Sequence, residues 1–149
     1  MLKENLSLSG DVTIELVDAN GNVKEKREIK NLVVSSGLTF ICSRMADTSS
    51  NVMSHMALGS SNTAAAANQT DLISILGSRE PLDSTTTSSN TITYIASFEA
   101  GDATGAVVEA GLFNGSSGGT MLCRTVFPVV NKGAQDILNI TWVITLQAS

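Results

Sequence analysis

The sequence predicts an all-β fold: a β-sandwich or jelly-roll-like domain with one short helix and an N-terminal β-hairpin. The strongest indication is residues 137–146, where apolar and polar residues alternate as in a half-buried strand. A second is the spacing of turn residues between short apolar segments, which is typical of antiparallel sandwiches. The chain has 149 residues, enough to bury a core without disulfide bonds.

Residues 10–30 are predicted to form a hairpin. An alternating segment precedes an Asn-Gly pair at 20–21, the strongest short-range hairpin signal in the chain, and residues 23–29 return as a highly charged strand. Residues 1–30 hold eleven charged side chains, whereas the remaining 119 residues hold twelve. We therefore divide the chain into a charged N-terminal arm, 1–30, and a sandwich body, 31–149.

The charged strand has two interpretations. In the first it is an ordinary edge strand, whose charges discourage the addition of a further strand. In the second it is a docking surface for an acidic partner. The partner-binding residues of that second hypothesis are Lys24, Lys26, Arg27 and Lys30.

The body is expected to begin with the helix. Leu38, Ile41, Cys42 and Met45 recur at helical spacing, which predicts a helix over residues 37–46, capped by the Ser-Ser-Gly at 35–37. The following segments are predicted as a loop at 47–51, a short buried strand at 55–59, a Ser/Ala/Asn-rich loop at 60–69, and one or two helical turns at 70–76 with Leu72, Ile75 and Leu76 inward.

Strands dominate the second half. We predict strands at 79–86 and 91–99 around a turn at 87–90, a loop at 99–105, and a hairpin of 107–113 with 120–127 that ends at Pro128. If Phe113 pairs with Thr120, Glu109 lies opposite Arg124, and an exposed pair of this kind contributes a few tenths to about 1 kcal/mol. The predicted core anchors are Phe98, Leu112, Phe127 and Trp142.

Composition argues against several functions. The net charge of −5 and the lack of a basic face argue against nucleic acid as a partner. The sequence has no run of eighteen apolar residues and no apolar segment near its N-terminus, so neither a membrane span nor a secretory signal is predicted. One histidine and two scattered cysteines offer too few zinc ligands. Cys42 and Cys123 are expected to be buried free thiols. We expect no cofactor.

Catalysis is not expected either. His55 is the only histidine, and the chain lacks the Gly-x-Ser-x-Gly elbow of a hydrolase, so a structural or interface role is favoured for it. Glu99, Asp102 and Glu109 lie close in sequence, but they are too few for calcium, and Asp102 occupies a turn where aspartate is common for local reasons.

Several segments resemble a family of small structural proteins of tailed-bacteriophage virions. They are NLVVSSGL at 31–38, SHMALGS at 54–60, FEAGD at 98–102, EAGLF at 109–113, GGTMLCRTVFP at 118–128 and ITW at 140–142. In looser form, the same order of segments is similar to the N-terminal domain of phage tail-collar fibre proteins. The recurrence of several segments in the same order carries the resemblance, and none of the segments is a catalytic signature.

The resemblance implies a virion protein assembled in the host cytoplasm, whose partner is the phage major capsid protein. The chain lacks the shaft and tip of a tail fibre, which favours a capsid decoration, or cement, protein; a tail, neck or fibre-like adaptor is the alternative. The low charge of residues 31–149 adds the expectation of a homodimer or homotrimer, because much uncharged surface is left for contacts.

Overall fold

The computed structural model describes residues 5–46 and 51–148, and it confirms the all-β class. Two antiparallel five-stranded sheets form the fold, with strand orders β2-β1-β10-β7-β6 (sheet A) and β3-β9-β8-β4-β5 (sheet B). The elements are β1 Leu6–Val17, β2 Val23–Lys30, β3 Leu32–Val33, α1 Ser35–Met45, β4 His55–Gly59, β5 Ile75–Pro81, β6 Ser84–Ser88, β7 Thr91–Phe98, β8 Gly105–Phe113, β9 Met121–Lys132 and β10 Ile137–Ala148.

The main core lies between the two sheets. Strand β10 buries every second residue from Leu138 to Ile144, as its alternation predicts. Trp142 and Phe98 are fully buried on sheet A, and Leu112 and Phe127 are buried on sheet B; all four belong to one cluster. A closely packed interior of this kind is what makes large-to-small substitutions costly.

The N-terminal hairpin is part of the sandwich. Strand β1 pairs with β10 along its whole length, from Leu6–Ala148 to Val17–Ile137, and Val12, Ile14 and Leu16 join the main core. Strand β2 then forms the edge of sheet A. The boundary at residue 30 therefore does not separate an arm from a body. Residues 23–29 lie at the edge of sheet A, as the first of the two interpretations predicted.

Helix α1 begins at Ser35, two residues earlier than predicted, and in place of the predicted Ser-Ser-Gly cap its N-cap residue is Val34, with no side-chain cap among the described residues. Of the four residues at the predicted helical spacing, Ile41 packs against the core, together with Phe40, whereas Leu38, Cys42 and Met45 are exposed. The buried Gly37 explains this orientation, because a Cβ there would collide with the carbonyl oxygen of Leu122. Most of the predicted loop at 47–51 lies outside the described residues.

Three further predictions were wrong in detail. Residues 70–76 contain no helical turn; Leu72 is buried, but Ile75 is exposed and begins β5. The predicted strand 79–86 is divided between β5 in sheet B and β6 in sheet A, with its hairpin turn at 89–90. Strand β9 continues past Pro128, because the register shifts between the Val107–Val130 and Glu109–Val126 pairs. Such an irregularity accommodates a residue that cannot donate to the ladder.

Candidate functional site

The most unusual group of side chains is a buried ion pair on the outer face of sheet B. Glu109 in β8 and Arg124 in β9 are both fully buried, with 3.1 Å between Arg124 Nε and Glu109 Oε1. The predicted register was wrong, since Glu109 pairs with Val126 and Arg124 pairs with Gly111. The two side chains meet diagonally on one face, and the pair is fully buried, so the energy range of an exposed pair does not apply to it.

Glu109 binds the backbone of the segment that covers it, residues 60–74. Its Oε2 accepts hydrogen bonds from the N–H groups of Ser61 (2.9 Å) and Ser74 (3.0 Å), and its Oε1 accepts one from Ile73 (2.9 Å). A buried carboxylate whose Oε1 accepts from a guanidinium and a backbone N–H, and whose Oε2 accepts from two backbone N–H groups, is well compensated for the loss of water. One side chain thus fixes both ends of the segment.

Arg124 fixes the middle of the same segment. Its Nη1 donates to the carbonyl oxygen of Thr63 (2.9 Å) and to Oε1 of Gln69 (3.1 Å). Gln69 in turn accepts from the Ala66 N–H and donates to the Ala64 carbonyl, each at 3.0 Å. We call this arrangement of Glu109, Arg124 and Gln69 the loop clamp. It explains how a segment without helix or strand can cover a sheet while keeping its polar backbone groups bonded.

A small apolar cluster lies beside the loop clamp. Leu72 of the covering segment packs with four buried residues of the sheet and of the turn before α1, namely Val34, Ala57, Phe113 and Met121. The Arg79 guanidinium lies 3.7 Å from the centre of the Phe113 ring. Gly59 is required next to the clamp, because a Cβ there would lie 2.6 Å from Glu109 Oε2 and 2.6 Å from the Ser74 carbonyl oxygen.

This geometry gives the loop clamp a structural role. Glu109 has no exposed surface and already has four donors, so it cannot reach a substrate. Glu99, Asp102 and Glu109 do not form a common site, and no group of three or more His, Cys, Asp or Glu residues in the described chain could hold a metal ion. His55 is half-buried, with its Nδ1 2.7 Å from Ser54 Oγ.

The four cations of the docking hypothesis lie along β2, and three of them have intramolecular partners. Lys24 Nζ lies 2.8 Å from Asp136 Oδ2, Arg27 Nη2 lies 3.0 Å from Glu25 Oε2, and Lys30 pairs with Asp11. Lys26 is exposed opposite Glu15 of β1, with no ion pair among the described residues.

Among the three β2 ion pairs, the Lys24–Asp136 pair contains the most buried partner, because the Asp136 side chain is only 7% exposed. The Lys24 ammonium, followed by the Gly133 N–H at 2.8 Å, lowers the pKa of Asp136 below its ordinary value. The hydrogen bond to Asp136 likewise raises the pKa of Lys24. The pair therefore links the edge strand β2 to the connection between β9 and β10, which limits the charge that β2 offers to a partner.

An apolar cleft of about 310 Å³ opens between α1 and sheet A. Its lining is mainly aliphatic and aromatic and includes Phe40, Ile41, Tyr94, Leu122 and Ile144. Burial raises the pKa of Tyr94 to about 12, so its hydroxyl keeps its proton at neutral pH. In the described chain the eleven-residue α1 is too short to cross a membrane, and no other helix is present.

Comparisons with protein-family models, with curated proteins and with solved structures found no match to this chain.

Proposed function

We propose that the protein is a structural component of a tailed-bacteriophage virion, most simply a capsid decoration protein that binds and stabilises the major capsid lattice. The observation that supports this most is the ordered set of sequence segments that resembles such proteins. In the fold, two of these segments are adjacent strands: His55–Gly59 pairs with Glu109–Phe113. A third contains Arg124, which completes the loop clamp.

The fold suits a protein that acts by contact. A ligand that binds only the assembled lattice stabilises it by mass action, to an extent set by its concentration relative to its dissociation constant. That role needs a rigid body with a broad accessible face. The outer face of sheet A has this shape, and on β10, β7 and β6 it presents mainly uncharged polar residues, among them Thr93, Asn139 and Thr141, together with the exposed apolar side chain of Ile95.

The cations of β2 are a weaker candidate for the docking surface. Since Lys24, Arg27 and Lys30 are paired, an acidic partner would have to displace Asp136, Glu25 or Asp11 before it gained their charge. Lys26 can contribute without that loss. Docking through β2 would therefore depend strongly on salt and be weakened by Lys26→Glu, whereas docking through the uncharged strands would depend little on salt.

A tail, neck or fibre-like adaptor is the second candidate, supported by the looser similarity to tail-collar fibre domains. The two functions differ in copy number. Quantitative mass spectrometry of purified particles tests both: a decoration protein is expected at a copy number comparable to that of the capsid protein, and an adaptor at that of tail proteins. Absence from purified particles would contradict both.

A binding assay gives the location directly. Expanded capsids lacking the protein are mixed with the purified chain and separated by sedimentation. Co-sedimentation that saturates at a fixed ratio to the capsid protein supports the decoration function, and electron microscopy of the same sample then locates the chain. Binding to isolated tails, with none to capsids, favours the adaptor.

A further inference from the structure

The edges of the two sheets are protected to very different degrees. Strand β2 carries six charged residues among its eight, and β3 is only two residues long. Strand β5 contains Gly77 in the left-handed region (φ 68°) and ends in Arg-Glu-Pro. Charges, short length, irregular backbone and proline are the usual means of preventing unwanted strand addition.

Strand β6 has none of these features. Its sequence is Ser-Thr-Thr-Thr-Ser, all five residues are exposed, and β7 is the strand that pairs with it in sheet A. Threonine strongly favours extended backbone. An exposed strand of this composition at the edge of a sheet presents unpaired backbone N–H and C=O groups to a further strand.

The sequence of β6 is also palindromic, which indicates what that further strand is. When two copies run antiparallel about a twofold axis at Thr86, Ser84 faces Ser88 of the second copy, and Thr85 faces Thr87. Thr86 faces its own counterpart. Every cross-strand pair is then Ser–Ser or Thr–Thr, and Thr–Thr and Thr–Ser pairs are favourable across strands. A surface that matches itself in this way is what a twofold-symmetric interface requires.

Charge does not oppose this pairing. The charged residue nearest to β6 in the sequence is Asp83, and the same register places it opposite Ser89 of the second copy, at the far end of the strand from the other Asp83. Ser89 has a left-handed backbone (φ 54°), which ends the extended segment there.

We propose that two copies of this chain associate through antiparallel pairing of Ser84–Ser88, which joins the two A sheets into one ten-stranded sheet. The strand at the opposite edge, β2, is charged, so association stops at the closed dimer and does not continue into a fibre. The proposal depends on the fold and the β6 sequence alone, and it holds whether or not the protein belongs to a virion.

Charge substitution at the twofold axis tests the proposal. Thr86→Lys and Thr86→Asp each place like charges face to face, so sedimentation equilibrium should show the dimer dissociation constant rising roughly tenfold or more for each variant alone. A one-to-one mixture of the two should regain dimers, because Lys then faces Asp. Ser117→Lys, an equal charge change in the exposed β8–β9 turn, is the control and should dimerise like the parent.

Disulfide trapping tests the register. In a Cys42→Ser background, which removes the exposed thiol, Thr86→Cys should form a covalent dimer under mild oxidation. Thr85→Cys, one residue away, should crosslink far less because its counterpart is displaced along the strand. A parent chain that stays monomeric up to hundreds of micromolar would overturn the proposal. So would a dimer unaffected by both charge variants, or equal crosslinking at 85 and 86.

Discussion

Breaking the loop clamp should destabilise the whole domain, and Glu109→Gln is the sharpest way to do so. The substitution keeps the size of the side chain but leaves the Arg124 guanidinium buried without its counter-charge. Removing one partner of a buried ion pair typically costs about 3–5 kcal/mol. Because small domains are stable by roughly 5–15 kcal/mol, the loss is a large share of the total.

The structure also predicts which backbone amides lose their hydrogen bonds in the Glu109→Gln variant. The Ser61, Ile73 and Ser74 N–H groups all donate to Glu109, so the carboxamide, which has one acceptor oxygen, cannot satisfy them together with Arg124. Hydrogen exchange should show these three amides losing protection while the amides of β10 keep theirs at least in part. Urea unfolding then gives the change in the free energy of unfolding.

A matched control separates the clamp from a general loss of charge. Glu28→Gln makes the same change on the exposed side of β2 and should alter stability by less than about 0.5 kcal/mol. The reasoning would be refuted if Glu109→Gln unfolded within about 1 kcal/mol of the parent with residues 61, 73 and 74 still protected. Arg124→Met completes a double-mutant cycle, in which the two substitutions should be clearly non-additive.

Three other measurements follow from burial and pairing. Trp142→Ala should cost about 3–5 kcal/mol in urea unfolding, because the fully buried indole leaves a cavity. A thiol reagent should modify Cys42 alone in the native protein and Cys123 as well after denaturation, since Cys42 is exposed and burial raises the pKa of Cys123. The Lys24–Asp136 pair should contribute stability fully above about pH 4, the ordinary range of an aspartate, and lose it as the pH falls through the lowered pKa of Asp136.

Each of these has a distinct control. Trp142→Phe should retain much of the lost stability, because it fills most of the cavity and removes an indole N–H that has no hydrogen-bond partner among the described residues. Equal native reactivity of both thiols would contradict the burial of Cys123. Asp136→Asn should flatten the acid dependence of the melting temperature, and a variant with the parent's acid profile would assign that dependence to other carboxylates.

Alternation made the central strands predictable from the sequence. In β1 and β10 the inward residues are apolar and most of the outward residues are polar. The pattern alone therefore predicted the strands, their buried faces and the core residue Trp142. The helix was harder. Leu38 and Met45 lie at helical spacing but on the exposed side, because the close approach of Gly37 to β9 decides which face packs.

The loop clamp shows why part of the site could not be predicted. Glu109 and Arg124 were expected to meet, and they do, but the sequence pattern of a hairpin says nothing about a distant segment that folds over its outer face. Burial of the pair depends on residues 60–74, which lack periodicity and are fixed by backbone bonds to a side chain. One residue could have indicated that Glu109 is covered: Gly59, which pairs with Glu109 and leaves no room for a Cβ. That indication can be recognised only once β4 and β8 are known to be adjacent.

The outer faces of the two sheets differ in how far they are covered by other parts of the chain, and this difference limits where a partner can bind. In sheet B, residues 60–74 cover the part of the outer face around Glu109 and Arg124, so that part is not available for contact. No segment of residues 5–46 or 51–148 is held over the outer face of sheet A by such a clamp, and the uncharged half of that sheet lies next to β6. If β6 pairs with a second copy as proposed, the uncharged halves of two A sheets become one continuous surface centred on the twofold axis. A lattice partner would then meet a dimer with a broad threonine-rich face, and variants at Thr86 that abolish the dimer should weaken lattice binding as well, without unfolding the subunit.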